Sequence, residues 1–125
     1  MGSYYLISNQ IDLSVEHYWK AHDIAVELEM TDSRATILMM ISKAYRLKGD
    51  FKNAELYAYN SYTFSKDNGL LYETSEGLQE LILVKEAQGQ FENAYKLQKD
   101  WLVVEQEIFS LEKAQKVIIR IQILY

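Results

Sequence analysis

The chain has 125 residues, of which 49% are hydrophobic and 25% charged, with a formal net charge of -5 at pH 7. This is ordinary globular usage, in one domain long enough to bury a core, and its acidic balance argues against general nucleic-acid binding, which needs a basic face. The absence of cysteine excludes disulfides, cysteine-based zinc sites and thiol catalysis, and leaves the compartment open.

No apolar run approaches the roughly 20 residues of a membrane span. The opening MGSYYLISNQ has neither the basic start nor the apolar core of a signal peptide. Proline is also absent. Typical usage of about 5% would supply some six. Proline breaks helix interiors, so its absence points to long helices with tight joins.

Residues 12–29 carry Leu13, Tyr18, Ala21, Ile24, Ala25 and Leu28 at helical spacing. Thr31-Asp32-Ser33 offers N-cap residues. Residues 34–48 place Ala35, Leu38, Ile41, Ala44 and Tyr45 along one stripe. Gly49 closes that helix, because the residue past a helix end often takes a positive φ. Asp50 is placed to cap the next helix, whose inner side carries Phe51, Ala54, Tyr57 or Ala58, Ser61 and Tyr62. Asn68-Gly69 reads as a short loop, since no alternating strands flank it. Leu71, Leu78, Leu81 and Leu83-Val84 lie in a helix that ends at Gly89. Phe91, Ala94, Leu97, Trp101, Val104, Ile108 and Leu111 follow in the last one.

The chain repeats itself. GDFKNA at 49–54 returns as GQFENA at 89–94, an offset of 40. Leu38 pairs with Leu78, Ile41 with Leu81 and Phe64 with Val104 at the same offset. Tyr5, Ile11, Ser14 and Ala21 stand 40 before Tyr45, Phe51, Ala54 and Ser61, which makes a cut-short first copy. Echoes at a fixed period mark a repeat architecture. Ala54 and Ala94 are small enough for a neighbouring helix to approach. Phe51 and Phe91 are expected to fill the wedge between paired helices. A lone pair cannot bury its apolar face, and stacking buries it.

The order Tyr45, Gly49-Asp50-Phe51, Ala54, Ser61 resembles the tetratricopeptide repeat (TPR), over residues 4–105. The third copy keeps Gly89, Phe91 and Ala94 but has Lys85 for the tyrosine and Trp101 for the last small residue. The first keeps Tyr5 and Ala21 and has Asn9 for glycine. The family's usual repeat is about 34 residues, so a period of 40 implies helices about a turn longer. The resemblance implies an all-α fold: antiparallel helix pairs stacked as a short right-handed solenoid. The chain divides into a partial repeat at 1–29, repeats at 31–68 and 69–110, and a C-terminal exit helix at 111–125. The tail is similar to the last repeat and exit helix of bacterial sensor kinases and helix-turn-helix regulators. That similarity implies a non-catalytic protein-interaction module, part of a longer signalling or transcription-regulatory protein.

By family geometry the first helix of each pair lines a concave groove. The matching positions are Thr36, Met39, Lys43 and Arg46 in the second repeat, and Glu76, Gln79, Leu83 and Glu86 in the third. A peptide or protein partner of complementary charge is expected there. Alternatively, Lys43 and Arg46 pair with Glu76 or Glu86 across the stack. The family's dicarboxylate clamp needs basic residues in successive repeats, and the third repeat is acidic. Most of the ten tyrosines fall at stripe positions, as core or groove wall.

The tail has two patterns. Ile119, Ile121 and Ile123 alternate with polar residues, which is strand spacing. Ile108, Leu111, Gln115, Ile118, Gln122 and Tyr125 step by three and four, a helical seam. The helix is favoured, because no breaker precedes it. Either way the apolar surface is extensive, so Ile108, Leu111, Ile118, Ile121 and Tyr125 are candidates for self-association into a dimer.

Signals for chemistry are thin. Ser110-Leu-Glu-Lys113 has the S-x-x-K spacing of penicillin-binding enzymes without the companion motifs. His17 and His22 are five apart and point in different directions, whereas helical metal pairs sit four apart. No catalytic residue, cofactor or metal is expected.

Overall fold

Every turn in this protein is built the same way, and the turns fall 20 residues apart. In the computed structural model, which describes residues 2–125 and their side chains from residue 7, five helices follow one another. They are α1 (Gly2–Glu27), α2 (Thr31–Lys48), α3 (Phe51–Asp67), α4 (Leu71–Ala87) and α5 (Phe91–Leu124). There is no strand among the described residues. The left-handed positions are Glu29, Gly49, Gly69 and Gly89, at φ 55, 90, 68 and 76°. At each, two backbone bonds close the helix end. Gly49 N–H donates to the Arg46 carbonyl at 3.0 Å and Asp50 N–H to that of Tyr45 at 2.9 Å. The same pair of bonds recurs from Glu29 and Met30, from Gly69 and Leu70, and from Gly89 and Gln90. This is the Schellman arrangement, which satisfies carbonyls that the helix leaves free. The 40-residue echo therefore divides into two helix-plus-turn units of 20.

Asp50 caps α3 as its position predicts, its carboxylate accepting from Asn53 N–H at 3.2 Å. The cap expected from Thr31-Asp32-Ser33 is not made. The N-cap is Met30, without a side-chain bond, and Asp32 instead accepts from the adjacent Ser33 N–H. Asn9, which stands at the place of the turn glycines in the first copy, lies inside the unbroken α1. The side chain of Tyr5 lies outside the described residues.

Helices α2 and α4 are central. The first packs against α1, α3 and α4, the second against α2, α3 and α5. The expected stripe Ala35, Leu38, Ile41 and Ala44 is buried, and so are its counterparts Leu78, Leu81 and Val84. The side of α3 facing them is lined with small residues: Ala54, Ala58, Ser61 and Ser65 are fully covered. Ser42 Oγ donates to the Ala54 carbonyl at 2.6 Å, and Ser61 Oγ to that of Ala35 at 2.8 Å. Such bonds require helix backbones close together, which only small side chains allow. At Gly77 on α4 a Cβ would stand 3.0 Å from the Tyr62 backbone nitrogen.

Two expectations about the ends are corrected. Of the stripe expected in α1, Ala25 is buried but Leu13, Ile24 and Leu28 are exposed, and Val15, outside the stripe, is buried in their place. The backbone of α1 lies against α2 alone, with Trp19 reaching Tyr57 of α3, so little of its other face is covered. Phe51 is half-buried, but Phe91 is 67% exposed. Helix α5 packs only on α4, and nothing closes a wedge over Phe91.

Helix α5 runs 34 residues, about 51 Å at 1.5 Å per residue. Its last buried residue is Ile108, and every residue beyond it is exposed. The strand alternation at 119–123 is thus carried on a helix.

Candidate functional site

The neighbouring helices α2 and α4 each turn an exposed stripe outward beside their buried one. Between the stripes lies a cleft of about 500 Å³ whose lining includes Met39, Lys43, Glu76, Gln79 and Leu83. A second cleft of about 480 Å³ adjoins it between α4 and α5, with Glu86, Trp101 and Leu102 in its lining. Gln79 and Leu83 line both, so the two form one groove. Helix α1 adds Ile11, Ser14 and Tyr18 at the far side. Six of the eight residues expected in the groove thus come together. Thr36 is half-buried on α2 outside the lining, and Arg46 is committed elsewhere.

Arg46 Nε donates to Glu80 Oε1 at 2.6 Å, with the two side chains 21% and 6% exposed. The pairing expected with Glu76 or Glu86 is replaced by this one. Glu80 sits between Leu78 and Leu81 on the covered face of α4. A carboxylate there needs a partner, since burying an unpaired charge is costly. An acid within an apolar stripe was the sequence signal. The bond ties α2 to α4 beneath the groove. Lys43 is exposed and forms no ion pair among the described residues, and the carboxylates of Glu76 and Glu86 flank the cleft. The groove therefore has an apolar floor of Met39 and Leu83 between one cation and two acids.

Aromatic rings brace the first half. Trp19 of α1 meets Tyr57 of α3 edge-on at 5.2 Å, and Tyr57 stacks on Tyr45 of α2 at 5.7 Å. Burial pushes the Tyr57 hydroxyl pKa up. Lys48 Nζ donates to Asp12 at 2.5 Å, tying α1 to α2 at the exposed edge.

Both departures of the third repeat have structural uses. Lys85 donates to Glu55, which also accepts from Gln88 Nε2 at 3.1 Å. The lysine first, and the glutamine after it, hold the Glu55 carboxyl below its ordinary range. Trp101 Nε1 donates to Ser75 Oγ at 3.0 Å, and Ser75 Oγ donates to Glu105 at 2.5 Å. Ser75 and Trp101 stand 40 residues after Ala35 and Ser61, so the same two positions are joined in both repeats by different groups.

Of the self-association candidates, Ile108 is corrected: it is only 8% exposed, covered within its own chain. Leu111, Ile118, Ile121 and Tyr125 are exposed. Tyr72 donates its hydroxyl to Glu112 at 3.1 Å, and that carboxylate raises the phenol pKa. Ser110 and Lys113 are exposed on the same helix. His17 is exposed, whereas His22 packs edge-on against Trp19 at 5.2 Å. Among the described residues no three His, Asp or Glu side chains gather as a metal site, and no helix is long and apolar enough to cross a membrane.

No protein-family model, curated protein or solved structure matches this chain.

Proposed function

We propose that this protein is a non-catalytic protein-interaction module of TPR type, a right-handed solenoid of antiparallel helix pairs that captures a protein or peptide in the α2–α4 groove. One observation carries the reading. Of the eight positions that the TPR resemblance places on the groove, Met39, Lys43, Glu76, Gln79, Leu83 and Glu86 line two adjoining clefts that share Gln79 and Leu83. The equal turns and the recurring Ala35–Ser61 and Ser75–Trp101 pairs support a stacked repeat. Its place would be the sensory or regulatory part of a larger bacterial signalling or transcription-regulatory protein, a role that rests on the similarity of the tail. Methionine and leucine suit such a surface, because methionine adapts to irregular apolar partners.

The test is selection of peptide ligands from a displayed random library, followed by titration against Leu83→Ser and Lys43→Glu. Each substitution is expected to weaken binding at least about tenfold, the size of one lost central contact, while the melting curve stays in place. Ligands that hold both variants as tightly as the wild type contradict the groove.

A second reading, self-association, draws on the exposed Leu111, Ile118 and Ile121 of α5. Concentration-dependent mass without any added ligand is its signature.

A further inference from the structure

The groove and the tail of α5 are complementary, and we infer that the tail of a second copy of this chain occupies the groove. This inference rests on the groove reading above and names its occupant.

Every residue of α5 beyond Ile108 is exposed, and among the described residues the tail's hydrogen bond to another helix is the one from Tyr72 to Glu112, near its start. Leu111, Ala114, Ile118, Ile121 and Tyr125 step by three and four along one side, the spacing of a helix made to lie against something. The opposite side carries Lys113, Lys116 and Arg120 along with the exposed Ile119 and Ile123, and Glu112 is the single acid of the segment. The tail is thus basic in a chain whose net charge is -5. An extended apolar face of this kind does not remain in water when a cover exists.

The groove offers the converse. Its floor is Met39 and Leu83, and its charges without an ion pair among the described residues are the two acids Glu76 and Glu86 against the one cation Lys43, while Glu80 is held by Arg46. The result is a largely apolar helix laid in an apolar groove, its cations beside the groove's acids.

Steric reach favours a second copy over the chain's own groove. The tail leaves its own body as a straight continuation of α5, with no glycine or proline between Phe91 and Tyr125 to turn it back.

The experiment is sedimentation of the full chain over a dilution series at low and high ionic strength, on four samples. These are the wild type, the groove variant Glu76→Lys/Glu86→Lys, the tail variant Lys116→Glu/Arg120→Glu, and an equal mixture of the two variants. Glu76, Lys116 and Arg120 are exposed and Glu86 is half-buried, and circular dichroism checks that each variant folds. The wild type is expected to dimerise, more weakly at high salt. Each variant alone should associate at least about tenfold more weakly, because like charges then face each other. The mixture should recover association, since the unaltered tails of one variant again meet unaltered grooves of the other, and the altered pair is also of opposite sign.

A groove variant that dimerises like the wild type overturns the inference and makes the tails pair with each other. A mixture that does not recover overturns it also. A monomeric wild type that binds anionic vesicles through Lys116 and Arg120 assigns the tail to a lipid surface and overturns it. Any monomeric wild type overturns this inference alone. The groove reading stands or falls separately, on the library ligands and Leu83→Ser.

Discussion

Glu80 shows how much one side chain decides. Its carboxylate lies among the leucines of α4 and is held by Arg46. Arg46→Ala would leave that carboxylate buried and unpaired, at a cost of about 3 kcal/mol, as when one partner of a buried pair is removed. The double variant Arg46→Met/Glu80→Leu should regain most of the loss, because a well-packed apolar pair replaces a buried ion pair at little cost. Urea unfolding of the two variants decides the matter; equal losses would mean that the stranded carboxylate is not what destabilises the single variant. It follows that Arg46 is a poor probe of partner binding, and Lys43 a clean one. Glu29 is the other informative residue. It alone among the four turn positions holds a left-handed φ without being glycine. Glu29→Gly should stabilise by about 0.5–1 kcal/mol, the strain relieved less the entropy that glycine adds to the unfolded chain. Thermal or urea unfolding checks it, and an unchanged midpoint would mean that Glu29 is not strained.

At the scale of elements, the ends of helices carry the ties. Lys85 and Gln88 at the end of α4 hold Glu55 on α3. The Glu55 pKa is lowered in the folded state from an ordinary value near 4.5. Its contribution is therefore fully present above that value and is lost as the pH falls through the lower folded one. The site is partly exposed and screened, so the effect is a few tenths of a kcal/mol. Wild type should be more stable than Glu55→Gln at neutral pH, with the gap closing in acid; a gap that widens on acidification contradicts the assignment.

The elements also show what could be read in advance. Gly49, Gly69 and Gly89 punctuate the chain at 20-residue steps, because glycine alone takes a left-handed turn cheaply. The outer face of α1 was misread for a physical reason. Leu13, Ile24 and Leu28 have helical spacing, but spacing does not tell which of two apolar faces has a neighbour. Phe91 was misplaced likewise, as its motif position presumes a helix beyond α5. The tail's β-branched residues compete with the propagating helix, and the helix prevails because no breaker stands before them.

At the scale of the molecule, the groove was legible because the TPR resemblance says which helix of each pair lines it, and repeat register then gives the matching positions without any knowledge of contacts. Thr36 and Arg46 fell outside it because register cannot see half-buried packing or a buried acid in the next repeat. The same period that sets the turns places α2 beside α4, and that adjacency is what makes a continuous groove from two separate stripes.

The most direct measurement is methyl NMR of the full chain titrated with a library-selected peptide. The account predicts that the methyls of Met39, Met40 and Leu83, which line the cleft between α2 and α4, shift first and saturate together, while those of Leu56 and Leu97, which line a separate cleft on α3 and α5, do not move. Shifts confined to Leu56 and Leu97, with Met39 and Leu83 silent, would contradict it.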